Sequence, residues 1–317
     1  MSRFSEVKVY TEEYVRINGI DQYFLHYPSP HKEVVIFLHG GPGSASSAFG
    51  YEVKKHWDFC NLVYYDQRGS GKTLRKNRTK AEDLSLDVMI ADLKETVAYI
   101  KEKYRTDRVI LLGQSWGSAL GTQYVLRYPE DVVAFIGTGV VVDMRQGMMR
   151  VAYDKLKETL ISKGANKDLD KLAALGDYPN VDRANFDKHV NIFQKLQSKH
   201  GQSVDIGKMI KIGMKSPIFN FIDLYYLARG SKLSSGLFVD ALLEYSILNI
   251  TDYKLPVYYI LGRDDWQVPS VAAAEYFEKI NAPHKGLYWI ENAGHVTEID
   301  NTEGFCRAVR ACLISCL

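Results

Sequence analysis

Apolar and polar residues alternate from 13 to 27 around Asn18-Gly19, a dipeptide suited to a type I′ turn because both central positions need positive φ. The alternation predicts an opening β-hairpin. The pattern then changes to unbroken apolar runs at Val34–Leu38, Leu62–Tyr65, Val109–Leu112 and Val132–Val142. Runs of this kind suit strands buried on both faces. Leu86, Met89, Ile90, Leu93, Val97 and Ile100 instead recur at three- and four-residue intervals, which predicts an amphipathic helix over 86–104 with Ser85 as its cap. A further helix is predicted after Ser115, running to Tyr128 and stopped by Pro129.

Strand, helix, strand, helix, strand is the rhythm of a parallel sheet, so the fold class is α/β. The rhythm stops after Val142, and about a hundred residues rich in Lys, Met and Tyr read as helices with no strand-like run. It resumes with Pro256–Leu261, a helix from Ser270, a strand over 286–290 and a last helix from Thr302. The expected organisation is therefore one α/β domain built from 1–142 and 251–317, with a helical cap inserted over 143–250.

Composition adds mainly exclusions. The chain has 317 residues, 46% hydrophobic and 25% charged, as an ordinary globular protein with a large core has. Forty basic against 38 acidic side chains leave a formal net charge of +2, too little to imply a nucleic-acid partner. No apolar run approaches the roughly 20 residues of a membrane span, so no membrane partner is expected either. The N-terminus has no apolar signal region, and the spacings of Cys306, Cys312 and Cys316 match no zinc or redox motif. Free thiols and a reducing cytoplasm are expected. Gly71-Lys72-Thr73 resembles the end of a phosphate-binding loop, but Asp66 stands where that loop needs glycine. No cofactor or metal is expected.

The chemistry concentrates at strand ends. Gly113-Gln114-Ser115-Trp116-Gly117 fits Gly-x-Ser-x-Gly between a buried strand and a helix, where small flanking residues allow the sharp turn that exposes a nucleophilic hydroxyl. A serine hydroxyl needs a base to take its proton, and the base needs an acid to hold its tautomer. In this arrangement the acid and histidine follow the serine in that order. His295, in Ala-Gly-His after the last strand, is the candidate base. Asp265 is the leading acid, with its neighbour Asp264 and the later Glu298 and Asp300 as rivals. An oxyanion formed during acyl transfer needs two backbone donors. The amide of Trp116 is one, and Gly41 in His39-Gly40-Gly41-Pro42-Gly43 is positioned to give the other. Asp66 and Arg68 are expected to form a structural turn and ion pair.

Taken in order, His39-Gly40-Gly41-Pro42-Gly43, Asp66-Gln67-Arg68-Gly69-Ser70-Gly71, Gly113-Gln114-Ser115-Trp116-Gly117, Gly262-Arg263-Asp264-Asp265 and Gly294-His295 resemble the proline iminopeptidase family of α/β-hydrolases. The resemblance covers the catalytic domain, about 210 residues. It implies Ser115, Asp265 and His295 as triad, Gly41 and Trp116 as oxyanion donors, a helical cap over the site, and release of N-terminal residues, often proline, from small peptides. Family exopeptidases hold the substrate amine with cap glutamates, in one branch within a Glu-Asn-His-Tyr-Phe stretch that this chain lacks. The acidic substitutes are Asp205, Asp223, Asp240 and Glu244. Asp223 and Glu244 lead them, the former because it lies among Phe219, Phe221, Tyr225 and Tyr226. An esterase or amidase of small acyl compounds, and a silent binding protein on the same fold, are the alternatives.

Overall fold

The computed structural model describes residues 9–179 and 183–316. Asn18 and Gly19 adopt the positive φ that the hairpin turn requires, and they join β1 (Thr11–Ile17) to β2 (Ile20–Tyr27) in antiparallel register. Six further strands follow: β3 (Val34–Leu38), β4 (Asn61–Asp66), β5 (Val109–Gln114), β6 (Val132–Thr138), β7 (Val257–Gly262) and β8 (Lys285–Ile290). They form one sheet in the order β1-β2-β4-β3-β5-β6-β7-β8, parallel from β4 onward.

The unbroken apolar runs serve two cores because successive side chains leave a strand on opposite faces. Val34, Ile36 and Leu111 pack with Met89, Leu93 and Val97 of the helix Leu86–Tyr104 and with Leu120 and Tyr124 of the helix Trp116–Arg127. Val35, Phe37, Ile110 and Leu112 pack on the other face with Phe305, Val309 and Cys312 of the helix Thr302–Cys316. Ser85 caps the first helix by accepting from the Val88 N–H. Cys60, Cys306 and Cys312 are buried free thiols inside this second core.

One strand is shorter than its apolar run suggests. β6 ends at Thr138, and Gly139 turns the chain with φ 53°. The ring of His295 lies against Gly139, where a β-carbon would come within 2.9 Å of Cε1. Val140–Val142 remain buried, but as a bend that makes room for the histidine loop. Between β6 and β7 the described residues form a π-helical turn, Met144–Arg150, and the helices Val151–Ser162, Asn166–Ala173, Arg183–Lys199, Ile206–Gly213, Phe221–Leu233 and Ser235–Leu242.

Candidate active site

Ser115 sits between β5 and the helix Trp116–Arg127 with φ 54° and ψ −121°, a backbone conformation that costs a non-glycine residue energy and that cores tolerate only where neighbours enforce it. The enforcement is visible. The Ser115 N–H donates to Thr138 O at 3.0 Å, and the Ser118 hydroxyl donates to Ser115 O at 2.6 Å. Gly113 and Gly117 let strand and helix touch, since a β-carbon on Gly113 would stand 2.4 Å from Gly117 O. The motif's spacing therefore follows from a steric need.

His295 lies in the loop after β8 and is 5% exposed. Its Nδ1–H donates to Asp265 Oδ2 at 2.9 Å, which leaves Nε2 as the ring's basic nitrogen. Asp265 is itself immobilised, because its Oδ1 accepts the backbone N–H groups of Gln267 and Val268 at 3.0 and 2.9 Å. Burial works to lower the histidine's pKa, but the charge and hydrogen bond of Asp265 outweigh it, and the net shift is upward. Gln114, adjacent to Ser115, donates to His295 O at 3.2 Å and so fastens the serine turn to the histidine loop.

The rival acids make no hydrogen bond to the ring among the described residues, although Glu298 and Asp300 add to the upward shift of its pKa. Asp264 is exposed, and Asp300 accepts from the Gly294 N–H and from Lys208 Nζ. Glu298 is buried, and its pKa is pushed up to about 7, chiefly by desolvation.

The loop that carries Gly41 is held by a network that the sequence did not reveal. His39 is 1% exposed, and burial lowers its pKa to about 4, so the ring is neutral. Its Nδ1–H donates to Gly40 O at 2.8 Å, and its Nε2 accepts the Gln67 N–H at 3.0 Å. The Gln67 side chain then bridges two segments: Nε2 donates to His39 O at 3.0 Å, and Oε1 accepts from the Trp116 indole at 2.9 Å. One buried amide thus ties the Gly41 loop to the residue after Ser115. Trp116 opens its helix, where backbone N–H groups have no acceptor within the helix and the helix dipole is positive.

Arg68, next in sequence, does not pair with Asp66 as expected. It forms a two-pronged contact with Asp92, at 2.7 and 2.8 Å, while Asp66 accepts from the Lys72 N–H beneath it. The reason is geometric, since Arg68 points out of the turn toward the helix Leu86–Tyr104 and Asp66 ends β4 pointing inward.

Ser115, Gly41 and Trp116 border a cavity of about 100 Å³ between the sheet and the helices that follow β6. Met144, Met148 and Met149, all from the π-helical turn, line it with Phe193, Phe238 and Leu242. Gln194, Gln197 and Gln267 supply its polar surface, and none of the described residues lining it is charged. Asp223 and Glu244 are not among the lining residues. The Asp223 carboxylate accepts from the Asn220 N–H and closes the cap of its own helix, and Glu244 pairs with Arg145 while its side chain remains 75% exposed. Phe221 and Tyr225 face solvent instead of forming a pocket wall.

Residues 33–302 match the family model of the alpha/beta hydrolase fold, and the chain belongs to that family. A curated protein named "Probable aminopeptidase YbaC", from Bacillus subtilis, is 23% identical over 305 residues, which cover 94% of this chain and 92% of that one. A proline iminopeptidase of Saccharolobus solfataricus is 29% identical over 183 residues, 55% of each chain. The crystal structure of a proline iminopeptidase of Mycobacterium smegmatis superposes with a TM-score of 0.70 at 18% identity, covering 96% of this chain and 98% of that one.

Proposed function

We propose that the chain is a serine hydrolase that works through an acyl-enzyme on Ser115 and releases N-terminal residues, proline among them, from small peptides. The Ser115 hydroxyl attacks the scissile carbonyl as His295 Nε2 takes its proton, and Asp265 stabilises the imidazolium. The oxyanion is received by the N–H groups of Gly41 and Trp116. His295 returns the proton to the leaving amine, and water then repeats the sequence on the acyl-enzyme. The observation that carries this reading is the strained Ser115 on the rim of a cavity, fastened through Gln114 to a histidine whose Nδ1 is held by a buried carboxylate. Peptide as substrate is supported by the relatives named as aminopeptidase and proline iminopeptidase.

A second reading, an esterase or amidase of uncharged acyl compounds, is favoured by the cavity lining. A protonated amine entering a poorly hydrated pocket needs a carboxylate opposite it, and no described lining residue supplies one. The two readings separate on Pro-, Ala- and Leu-arylamides assayed with and without an N-acetyl group, beside short p-nitrophenyl esters. Strong preference for the free amine supports the aminopeptidase; equal rates for free and blocked forms discard amine recognition and leave the esterase or amidase.

A further inference from the structure

Eleven large apolar side chains are exposed among the described residues, and five of them, Ile206, Met214, Phe221, Ile222 and Tyr225, fall within twenty residues of the cap. Scattered exposed apolar residues need no explanation, but a concentration does. Ile206, Ile210 and Met214 recur at four-residue intervals along and just past the helix Ile206–Gly213, so they share one face. The ring of Phe219 lies against Gly213 and 5.8 Å from that of Phe221, which joins this stripe to the start of the helix Phe221–Leu233. Phe221, Ile222 and Tyr225 then continue the apolar surface over that helix's first turn and a half.

The same segment is locally basic. Residues 206–233 hold five cations and one anion, Asp223, whereas the whole chain has a formal net charge of only +2. Lys208 is neutralised by Asp300 at 2.6 Å. Lys211, Lys215 and Arg229 are exposed, and no carboxylate pairs with them among the described residues. Lys211 and Lys215 directly follow Ile210 and Met214, so unpaired cations flank the apolar stripe along its length.

We propose that this face of the cap docks the enzyme peripherally on an anionic lipid surface. Aromatic and aliphatic tips enter the headgroup boundary of a bilayer, while lysine stems lie along them and keep their charges among the phosphates. No described helix is long and apolar enough to cross a membrane, so the contact is peripheral. A second copy of the chain fits poorly, because a two-fold contact through this patch would bring its lysines together. The expectation of no membrane partner rested on spans alone and did not consider a surface assembled by the cap. The docked face is close to the reaction centre: the helix Phe221–Leu233 lies on the oxyanion loop, with Gly230 packed directly against Gly43.

The test sediments the full chain with phosphatidylcholine vesicles, with and without phosphatidylglycerol, at low and high salt. Binding to the anionic vesicles alone is expected, weakening as salt rises. Lys211→Glu combined with Lys215→Glu should weaken it roughly tenfold or more. Phe221→Ser combined with Ile222→Ser should also weaken it at unchanged net charge, with melting temperature and active-site labelling as checks that both variants fold. Failure to bind anionic vesicles at low salt, or equal binding to neutral ones, overturns the proposal. Full binding by the serine pair overturns it too, because it would leave a purely electrostatic surface of the kind an acidic polypeptide occupies.

Discussion

Asp265 Oδ2 accepts the Nδ1–H of His295 at 2.9 Å while Asp265 Oδ1 is held by two backbone N–H groups, so the carboxylate cannot turn away from the ring. Asp265→Asn keeps the shape but offers an N–H where the imidazole needs an acceptor, which favours the wrong tautomer. Turnover is expected to fall on the order of 10⁴-fold. Asp264→Asn, at an exposed position, should change it little. Steady-state rates of the two variants check the pair, and the reverse ranking would move the acid by one residue.

The raised pKa of His295 gives the reaction a pH signature. The base acts in its neutral form, so kcat/KM should fall as pH drops through a value above the ordinary 6.5 of histidine. In Asp265→Asn the residual activity should show the opposite sign. Burial would then be opposed only by the smaller influence of Glu298 and Asp300, and the acid limb should move to lower pH. A pH–rate profile for each protein reads both shifts.

Among the described residues Gln67 is the one side chain that bonds to both the loop of Gly41 and the indole beside Ser115. Gln67→Leu removes both bonds and leaves a buried indole N–H and a buried carbonyl without partners, at a cost of about 1–3 kcal/mol each. If the amide aligns the two oxyanion donors, kcat should drop about 10²-fold or more with KM nearly unchanged. A merely structural role would lower melting temperature without that split between kcat and KM.

Much of this could be read along the chain. Ser85, Asn18-Gly19 and the unbroken apolar run Val34–Leu38 announced a cap, a turn and a doubly covered strand through local chemistry, and each lies where local rules put it. Gly-x-Ser-x-Gly was legible because its glycines answer a steric demand inside the motif itself. The early end of β6 was not legible, since the ring that forces the bend comes from His295, far away in sequence. Gln67 escaped for the same reason, its partners lying near 39 and 116. Asp223 misled because an acid among aromatic residues reads as a pocket, whereas its spacing from Asn220 makes it a helix cap.

Glu298 predicts a change in stability. Its carboxyl is buried, Oε2 has no hydrogen-bond partner among the described residues, and its pKa rises from 4.5 to about 7. A group whose pKa rises on folding stabilises most below its unfolded value, so this contribution is present below pH 4.5 and is lost as pH climbs through 7. Glu298→Gln removes the ionisation and should stabilise the protein at pH 8 by up to about 3 kcal/mol. Melting temperatures at pH 4.5 and 8 test this. A variant no more stable than the parent at pH 8 would show that Glu298 is not held as an uncompensated buried charge.

The central claim, that Ser115 is an activated nucleophile, is tested most directly by intact-protein mass spectrometry after exposure to a fluorophosphonate. Only a serine served by a base and by oxyanion donors reacts at a useful rate. The account predicts one covalent adduct, mapped by peptide digestion to Ser115, and none in a folded Ser115→Ala variant. An adduct that persists in that variant, or a parent protein that stays unmodified while folded, would contradict it.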